Sequence, residues 1–330
     1  MIVVTGGSGF IGSAIIWKLN KAKYNDILIV DRMDDSGKWK NLVPLKFEDL
    51  ITPEDFIEKL ENHKFDERLH SIIHMGAQTD TLTSDANTMF QNNFYYTKRL
   101  LEFHDKNPDS CRIIYASSAA TYGNPMNGLF IDNEYSLQLL RPLTEYAYSK
   151  HLIDLDNHRK NRFNHIVGLK FFNVFGPNEY HKGNMSSKIY RAYNDMIKGK
   201  QTEVYFPPST DCKFKMERDF IYIKDLVEIV LFFLHHKDYN GLFNVGSGKS
   251  YSWYDIINYV ADVTLHHDPT IQLTPIPTSL LPRYQYYTCS NNEKLNDTWG
   301  STVTFTPLKE SIKDYIENYL IGNEEPKVLK

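Results

Sequence analysis

The chain opens on an apolar run. Ile2-Val-Val-Thr5 is short and rich in β-branched residues, as a strand buried on both faces should be. Gly6, Gly9 and Gly12 follow, and from Ser13 the run Ser-Ala-Ile-Ile-Trp-Lys-Leu takes up helical spacing. Ile27-Leu-Ile-Val30 is a second such run, closed by Asp31. Strand-like and helix-like segments continue to alternate, with further strands expected at 42–45, 71–75, 112–116 and 166–172 and helices at 92–103 and 146–158. This order predicts the α/β class: a Rossmann-type doubly wound parallel sheet with helices on both faces.

Past residue 172 the alternation loosens. Residues 173–187 hold Gly176-Pro177 and Gly183 and read as a loop, followed by a helix at 187–198 and a strand at 218–223. Asp225 is placed to cap a helix whose Leu226, Ile229, Val230 and Phe233 share one face. A strand at 242–245 precedes Ser252, a cap for a helix from Trp253, and a last helix spans 308–320 behind Thr306-Pro307. The polar tail 322–330 is expected to fray.

The three glycines give the first strand its chemistry. At that spacing they allow a tight turn, close backbone approach to a pyrophosphate and close packing of helix on strand. The helix that follows offers its N–H groups and dipole to the phosphates. Asp31 stands at about the 20-residue distance expected of a ribose-binding acid. Arg32, Lys38 and Lys40 follow it and could pair with a 2′-phosphate, so NADP is favoured and NAD stays open. The chain thus divides into an NAD(P)-binding domain over 1–172, rejoined by about 219–246, and a smaller α/β substrate domain from 173–218 and 247–330.

Tyr146 and Lys150 share one helix face at the i, i+4 spacing. A cation near a phenol favours phenolate, which makes Tyr146 a usable proton acceptor. Ser118, at the end of the fifth strand, can hydrogen-bond the same substrate oxygen. An exposed helix face would explain the Tyr–Lys spacing alone; the glycine turn and Ser118 turn the pair into a hydride-transfer constellation. Composition changes little. With 42% hydrophobic residues, 24% charged and a net charge of −4, nothing pulls the chain toward nucleic acid or anionic membrane. Cys111, Cys212 and Cys289 show no metal-ligand spacing, so no metal and a reduced, cytoplasmic compartment are expected. A strand at residue 2 leaves no signal peptide, and the apolar stretch at 226–234 is too short to span a membrane.

The spaced glycines, Ser118-Ala-Ala-Thr-Tyr-Gly, Tyr146-xxx-Lys150, Asn173-Val-Phe-Gly-Pro177, Arg218-Asp-Phe-Ile-Tyr and Asn244-Val-Gly-Ser-Gly together resemble the extended short-chain dehydrogenase/reductases. Gly176-Pro-Asn-Glu-Tyr-His-Lys-Gly-Asn-Met-Ser-Ser187, Lys38-Trp-Lys-Asn-Leu42 and Arg283-Tyr-Gln-Tyr-Tyr-Thr288 are similar to one family within that group, the ADP-L-glycero-D-manno-heptose 6-epimerases. The resemblance implies inversion of a carbinol in a nucleotide sugar, for lipopolysaccharide core synthesis, by a cytoplasmic homo-oligomer using NADP. It implies Tyr146 and Lys182 as paired acid/base groups, assisted by Ser118 and Lys150. By position, Phe10, Ile11, Met75, Gly76, Ala77, Gln78, Thr79, Asn92, Lys150, Val174 and Lys182 join the glycines, Asp31, Arg32 and Lys38 around the cofactor. Asn173, Asn184, Arg191, Arg218 and Tyr284 fall at substrate positions. Three departures stand out: Pro53 replaces a cofactor-side lysine, Arg191 replaces a substrate-side histidine, and 205–217 is longer than its counterpart. A UDP-hexose 4-epimerase would share Ser118, Tyr146 and Lys150 without needing Lys182, and a non-catalytic cofactor-binding scaffold is the rival of another class.

Overall fold

In the computed structural model the described residues are 1–65, 68–79, 85–125, 129–206, 216–264, 269–322 and 325–330. The first half alternates as β1 (Ile2–Thr5), α1 (Phe10–Lys21), β2 (Ile27–Val30), β3 (Asp49–Ile51), α2 (Pro53–Glu61), β4 (Ser71–His74), α3 (Ala86–Phe90), α4 (Tyr96–Asp105), β5 (Arg112–Ser118), α5 (Glu145–Arg159) and β6 (Val167–Phe171). There follow β7 (Asn173–Phe175), α6 (Lys188–Ile197), β8 (Thr202–Phe206), β9 (Glu217–Tyr222), α7 (Ile223–His235), β10 (Gly241–Val245), β11 (Ser250–Ser252), α8 (Trp253–Thr264), β12 (Ile271–Pro275), α9 (Glu293–Trp299) and α10 (Leu308–Tyr315).

Seven strands form one parallel sheet in the order β10-β6-β5-β4-β1-β2-β3. Successive residues of each strand feed opposite layers. Ile2, Val4, Ile27 and Ile29 enter the core beneath α1 and α7, while Val3, Leu28, Val30 and Ile72 enter the core beneath α2 and α4. Burial on both faces is why these strands read as unbroken apolar runs. The strand order reverses between β1 and β4, and in an open α/β sheet ligands bind at the carboxyl ends of such a switch point. A separate sheet, β11-β9-β7, and the pair β12-β8 stand beside the main one.

The structure corrects the sequence reading at several elements. Residues 42–45 are not a strand: Lys38–Leu42 is a 3₁₀ turn, and Leu42 and Leu45 drop into the core from it. The third strand is Asp49–Ile51, at the sheet edge. Helix α1 starts at Phe10, so Gly12 belongs to its first turn. The helix expected at 92–103 begins earlier, at Ala86, and passes through a π turn at Gln91–Tyr95. Asp225 does not cap α7, which starts at Ile223; its carboxylate accepts from Thr306 N at 2.9 Å and Thr306 Oγ1 at 2.8 Å. Ser252 does cap α8, with Asp255 N donating to its Oγ and the Asp255 carboxylate accepting back. The tail is tied down rather than frayed: Leu329 is 1% exposed and its N–H donates to Asn178 Oδ1 at 2.9 Å.

One buried ion pair joins the two strands and the helix that carry most of the expected chemistry. Lys170 on β6 and Asp154 on α5, both fully buried, meet at 2.6 Å. Asp154 also accepts from Tyr115 Oη and Ser117 Oγ of β5, each at 2.8 Å. Lys170 donates to Thr121 Oγ1 at 2.6 Å. Removing one partner leaves the other charge buried and unpaired. Lys170→Met should therefore lower the unfolding free energy by about 3–5 kcal/mol, measured by urea unfolding; a loss under 1 kcal/mol would show the pair to be dispensable.

Candidate active site

The turn after β1 is built on two contacts that exclude a side chain. Gly6 has φ +66°, and a β-carbon there would lie 2.8 Å from the Gly76 Cα after β4. A β-carbon on Gly12 would lie 2.1 Å from the Gly6 carbonyl oxygen. The two strand ends and the first turn of α1 therefore close on each other, and backbone N–H groups face the space above. That space is a cavity of about 520 Å³. Gly6, Gly9, Phe10, Ile11, Gly12, Asp31, Arg32, Lys38, Met75, Gly76, Ala77, Gln78, Thr79, Asn92 and Lys182 all line it, as does Pro53.

At one end Asp31 accepts from Ser8 N at 2.9 Å and pairs with Lys38 Nζ at 3.0 Å. Lys38 also reaches Asp34, at 3.3 Å, and Arg32 pairs with Glu54. Lys40 turns away to Glu325. On the opposite wall, buried Asn93 ties Gln78 to α5. Its Oδ1 accepts from Gln78 N at 2.8 Å, and its Nδ2 donates to Gln78 O and to Ser149 Oγ, both at 3.0 Å. The π turn carries Asn93 here beside Asn92, whose Nδ2 donates to Gln78 Oε1 at 3.3 Å. His74 was also missed from sequence. Its ring bridges Thr5 Oγ1, at 2.6 Å, and Thr97 Oγ1, at 2.7 Å, and Thr5 Oγ1 in turn accepts from Gly76 N. Burial, with help from the Lys150 charge, pushes His74 down to about 3.

Ser118 ends β5, and its Oγ accepts from Ala120 N at 3.1 Å. Helix α5 starts behind the Thr144 cap, so Tyr146 and Lys150 sit in its first turns. Lys150 is buried and donates to Ala116 O of β5 at 2.8 Å. Burial pushes it down to about 8, against the Asp154 carboxylate. Tyr146 departs from the sequence reading: burial raises its phenol above the usual value, and only the adjacent Ser118 hydroxyl acts the other way. Lys182 comes from a different element, the 3₁₀ turn Tyr180–Met185. Its Nζ stands 5.6 Å from the Phe10 ring centroid, and burial lowers its pKa against the opposing charge of Glu179.

Ser118, Tyr146 and Lys150 do not line that cavity, and the remaining positions also lie outside its wall. Asn173 and Val174 are on β7 and pair with Phe220 and Ile221 of β9. Asn184 and Arg191 are exposed. Arg218 is buried between two rings, with its Cζ 5.4 Å from the Tyr284 centroid and 5.6 Å from that of Trp253. Of segment 205–217, residues 207–215 lie outside the described residues, and so does Cys212. Among the described residues Cys111 and Cys289 are free thiols, and no cluster suited to a metal occurs. No helix among them is long and apolar enough to cross a membrane.

A glycine turn at the switch point, a carboxylate ending β2 and a Ser/Tyr/Lys set beside them define a nicotinamide-dependent enzyme of the Rossmann class. The chain belongs to the NAD dependent epimerase/dehydratase family, whose model matches residues 2–246. Within that family it groups with the ADP-L-glycero-D-manno-heptose-6-epimerases, which are isomerases. It is 39% identical over 321 residues to the one from Nitratidesulfovibrio vulgaris, an alignment covering 97% of this chain and 98% of the relative. The enzyme so named from Fusobacterium nucleatum is also 39% identical, over 331 residues, with the same coverage. The crystal structure of the Helicobacter pylori ADP-L-glycero-D-manno-heptose-6-epimerase superposes with a TM-score of 0.78, covering 96% of this chain and 95% of that one at 24% identity, and shows the shared fold.

The low pKa of His74 gives acid stability a sign. The folded ring stays neutral down to about pH 3, whereas the unfolded ring protonates near 6.5. The unfolded state then binds the extra proton, so stability is full above about 6.5 and falls as pH drops toward 3. Urea unfolding between pH 4 and 8 should show that decline, and His74→Asn should make it shallower, with His104, His151 and His181, also lowered by burial, keeping the remainder.

Proposed function

We propose that this chain epimerises C6 of the heptose in ADP-glycero-manno-heptose by transient oxidation to a ketone and re-reduction, with Tyr146 and Lys182 as paired acid/base groups. The observation that carries it is Lys182 in the wall of the cofactor cavity, delivered by an element separate from the helix of Tyr146. The nucleotide sugar is taken from the names of relatives matched over almost their whole length.

The residues present fit a dinucleotide. The glycine turn and the α1 N-terminus would hold the pyrophosphate, Asp31 a ribose, and Met75–Thr79 the path between β4 and α5. When bound, the nicotinamide supplies a hydride acceptor that returns the hydride in the second half of the cycle. The chain's own groups handle the proton. Ser118 donates to the substrate oxygen while Tyr146 or Lys182 removes its proton, leaving a planar carbonyl. Once the ketone presents its other face, the group on the opposite side returns a proton to the newly formed alkoxide. An acid and a base on two sides are what inversion requires, and simple oxidation needs only one. Lys182 suits this because burial weakens its hold on a proton. Arg218, clamped by Tyr284 and Trp253, is fitted to a diphosphate through its planar fork. The cofactor is read as NADP, because Lys38 and Arg32 flank Asp31 at the ribose end. Of their carboxylate partners, Asp34 and Glu54 are more than half exposed, while Asp31, which also holds Lys38, is mostly buried.

Incubation with ADP-D-glycero-D-manno-heptose should give its 6-epimer with no net change in NADPH absorbance. Tyr146→Phe and Lys182→Met should each cut turnover by about 10²–10⁴-fold while NADPH fluorescence still reports a bound cofactor. Full activity of Lys182→Met would sink the two-base mechanism, and conversion of UDP-glucose alone would move the assignment to a 4-epimerase.

A further inference from the structure

Four residues before Lys182 stands Asn178, fully buried and at φ +80°, a left-handed conformation rare for a residue with a side chain. Its bonds reach three other parts of the chain. The side-chain Nδ2 donates to Ser13 Oγ of α1 at 2.9 Å, and Oδ1 accepts from Leu329 N at 2.9 Å. Its carbonyl accepts from Asn41 Nδ2 at 3.2 Å, and the same Nδ2 donates to Ser8 O of the glycine turn at 3.1 Å. Asn178 thereby ties the Lys182 turn to the phosphate-binding turn and to the segment 325–330.

That segment makes further ties to the same place. Tyr180 Oη donates to Lys327 O at 2.7 Å, and Trp17 Nε1 of α1 donates to Lys330 O at 2.8 Å. Leu329 inserts into the main core. From Asn178 the chain reaches Lys182 through one more fixed point: Glu179, fully buried, holds Gly176 N and Ser187 Oγ, and its carbonyl accepts from Lys182 N at 3.0 Å.

We propose that Asn178, locked by the segment 325–330, is a positioning residue for Lys182: through its side chain it holds the lysine's turn in register with the first turn of α1, which the glycine turn leads into. The inference rests on the acid/base reading of Lys182. Register matters because misplacing a reacting group by about 1 Å costs on the order of a hundredfold in rate. The tie is made by backbone and amide groups with no charge of their own, so it places the lysine without neutralising it. The titratable neighbours of Lys182 are Glu179 and His181 beside it in the chain, with Lys38 and Asp34 beyond His181.

The test compares Asn178→Gly, which keeps the left-handed backbone and deletes the side-chain tie, with deletion of 325–330 and with Lys182→Met as reference. Each holoenzyme is assayed with ADP-D-glycero-D-manno-heptose for kcat and KM across pH, and NADPH affinity is measured by fluorescence. Both tie variants should lose about tenfold or more in kcat, with KM and NADPH affinity within about twofold. The pH limb that disappears in Lys182→Met should move to higher pH in both, because a loosened turn lets water solvate the ammonium. A purely structural tie would leave that limb in place. Unchanged kcat in Asn178→Gly, or a loss matched by lost NADPH affinity, overturns the proposal even if the deletion fails to fold. Full activity of Lys182→Met overturns the acid/base reading instead, and the proposal with it.

Discussion

The Asp154 carboxylate is the constraint on which the placement of Ser118, Tyr146 and Lys150 depends. It lies one helical turn beyond Lys150 and accepts from Tyr115 and Ser117 on β5 and from Lys170 on β6. Helix α5 is thereby fixed against the last residues of β5, where Ser118 emerges. Without that anchor, the register between Tyr146 and Ser118 would rest on the Lys150–Ala116 hydrogen bond and on apolar packing, which is not directional. The same carboxylate acts on Lys150 through space. Burial strips the ammonium of solvent, and the Asp154 charge returns part of its stability, leaving it near 8. Position and protonation state here share one source.

The facing side of the cavity is organised by amides instead. Asn93 joins Gln78 to Ser149, and Asn41 with Asn178 joins the glycine turn to the turn of Lys182. Each amide both donates and accepts, so one buried side chain satisfies backbone groups from several elements at once. Neutral bridges suit this location. A further cation there would add to the charges that, with burial, already hold His181 down, and a further carboxylate would compete with a phosphate-bearing ligand.

The sheet was legible from sequence because its central strands are buried on both faces, which leaves unbroken apolar runs. The edge was not. Asp49–Ile51 is short and partly exposed and carries no such signal, while Leu42 and Leu45 imitate a strand because they plug the core from a turn. Many residues of the cavity wall were legible, the glycines from their spacing and Met75, Gly76, Ala77, Gln78, Thr79 and Asn92 from the family resemblance. Polar hubs were not: Asn93, Asn178 and His74 read as ordinary residues until long-range bonds enclose them. The tail was misread for the same reason. Its composition is polar, and only the burial of Leu329 distinguishes an anchored segment from a loose one. The i, i+4 spacing put Tyr146 and Lys150 on one helix face but could not reveal that burial raises the phenol, with only Ser118 acting the other way.

The basic groups of the site share a common electrostatic condition. Lys150 and His181 are pushed down to about 8 and about 4, and Lys182 and Arg218 are lowered as well, in every case chiefly by burial. A buried cation without a full countercharge is costly, and it weakens its own hold on the proton. The fold therefore keeps its positive groups under-neutralised in the free chain. A ligand bearing phosphates supplies the missing negative charge and raises those proton affinities as it binds. On the proposed reading, an anionic dinucleotide and an anionic sugar nucleotide would bring that charge to the residues around them.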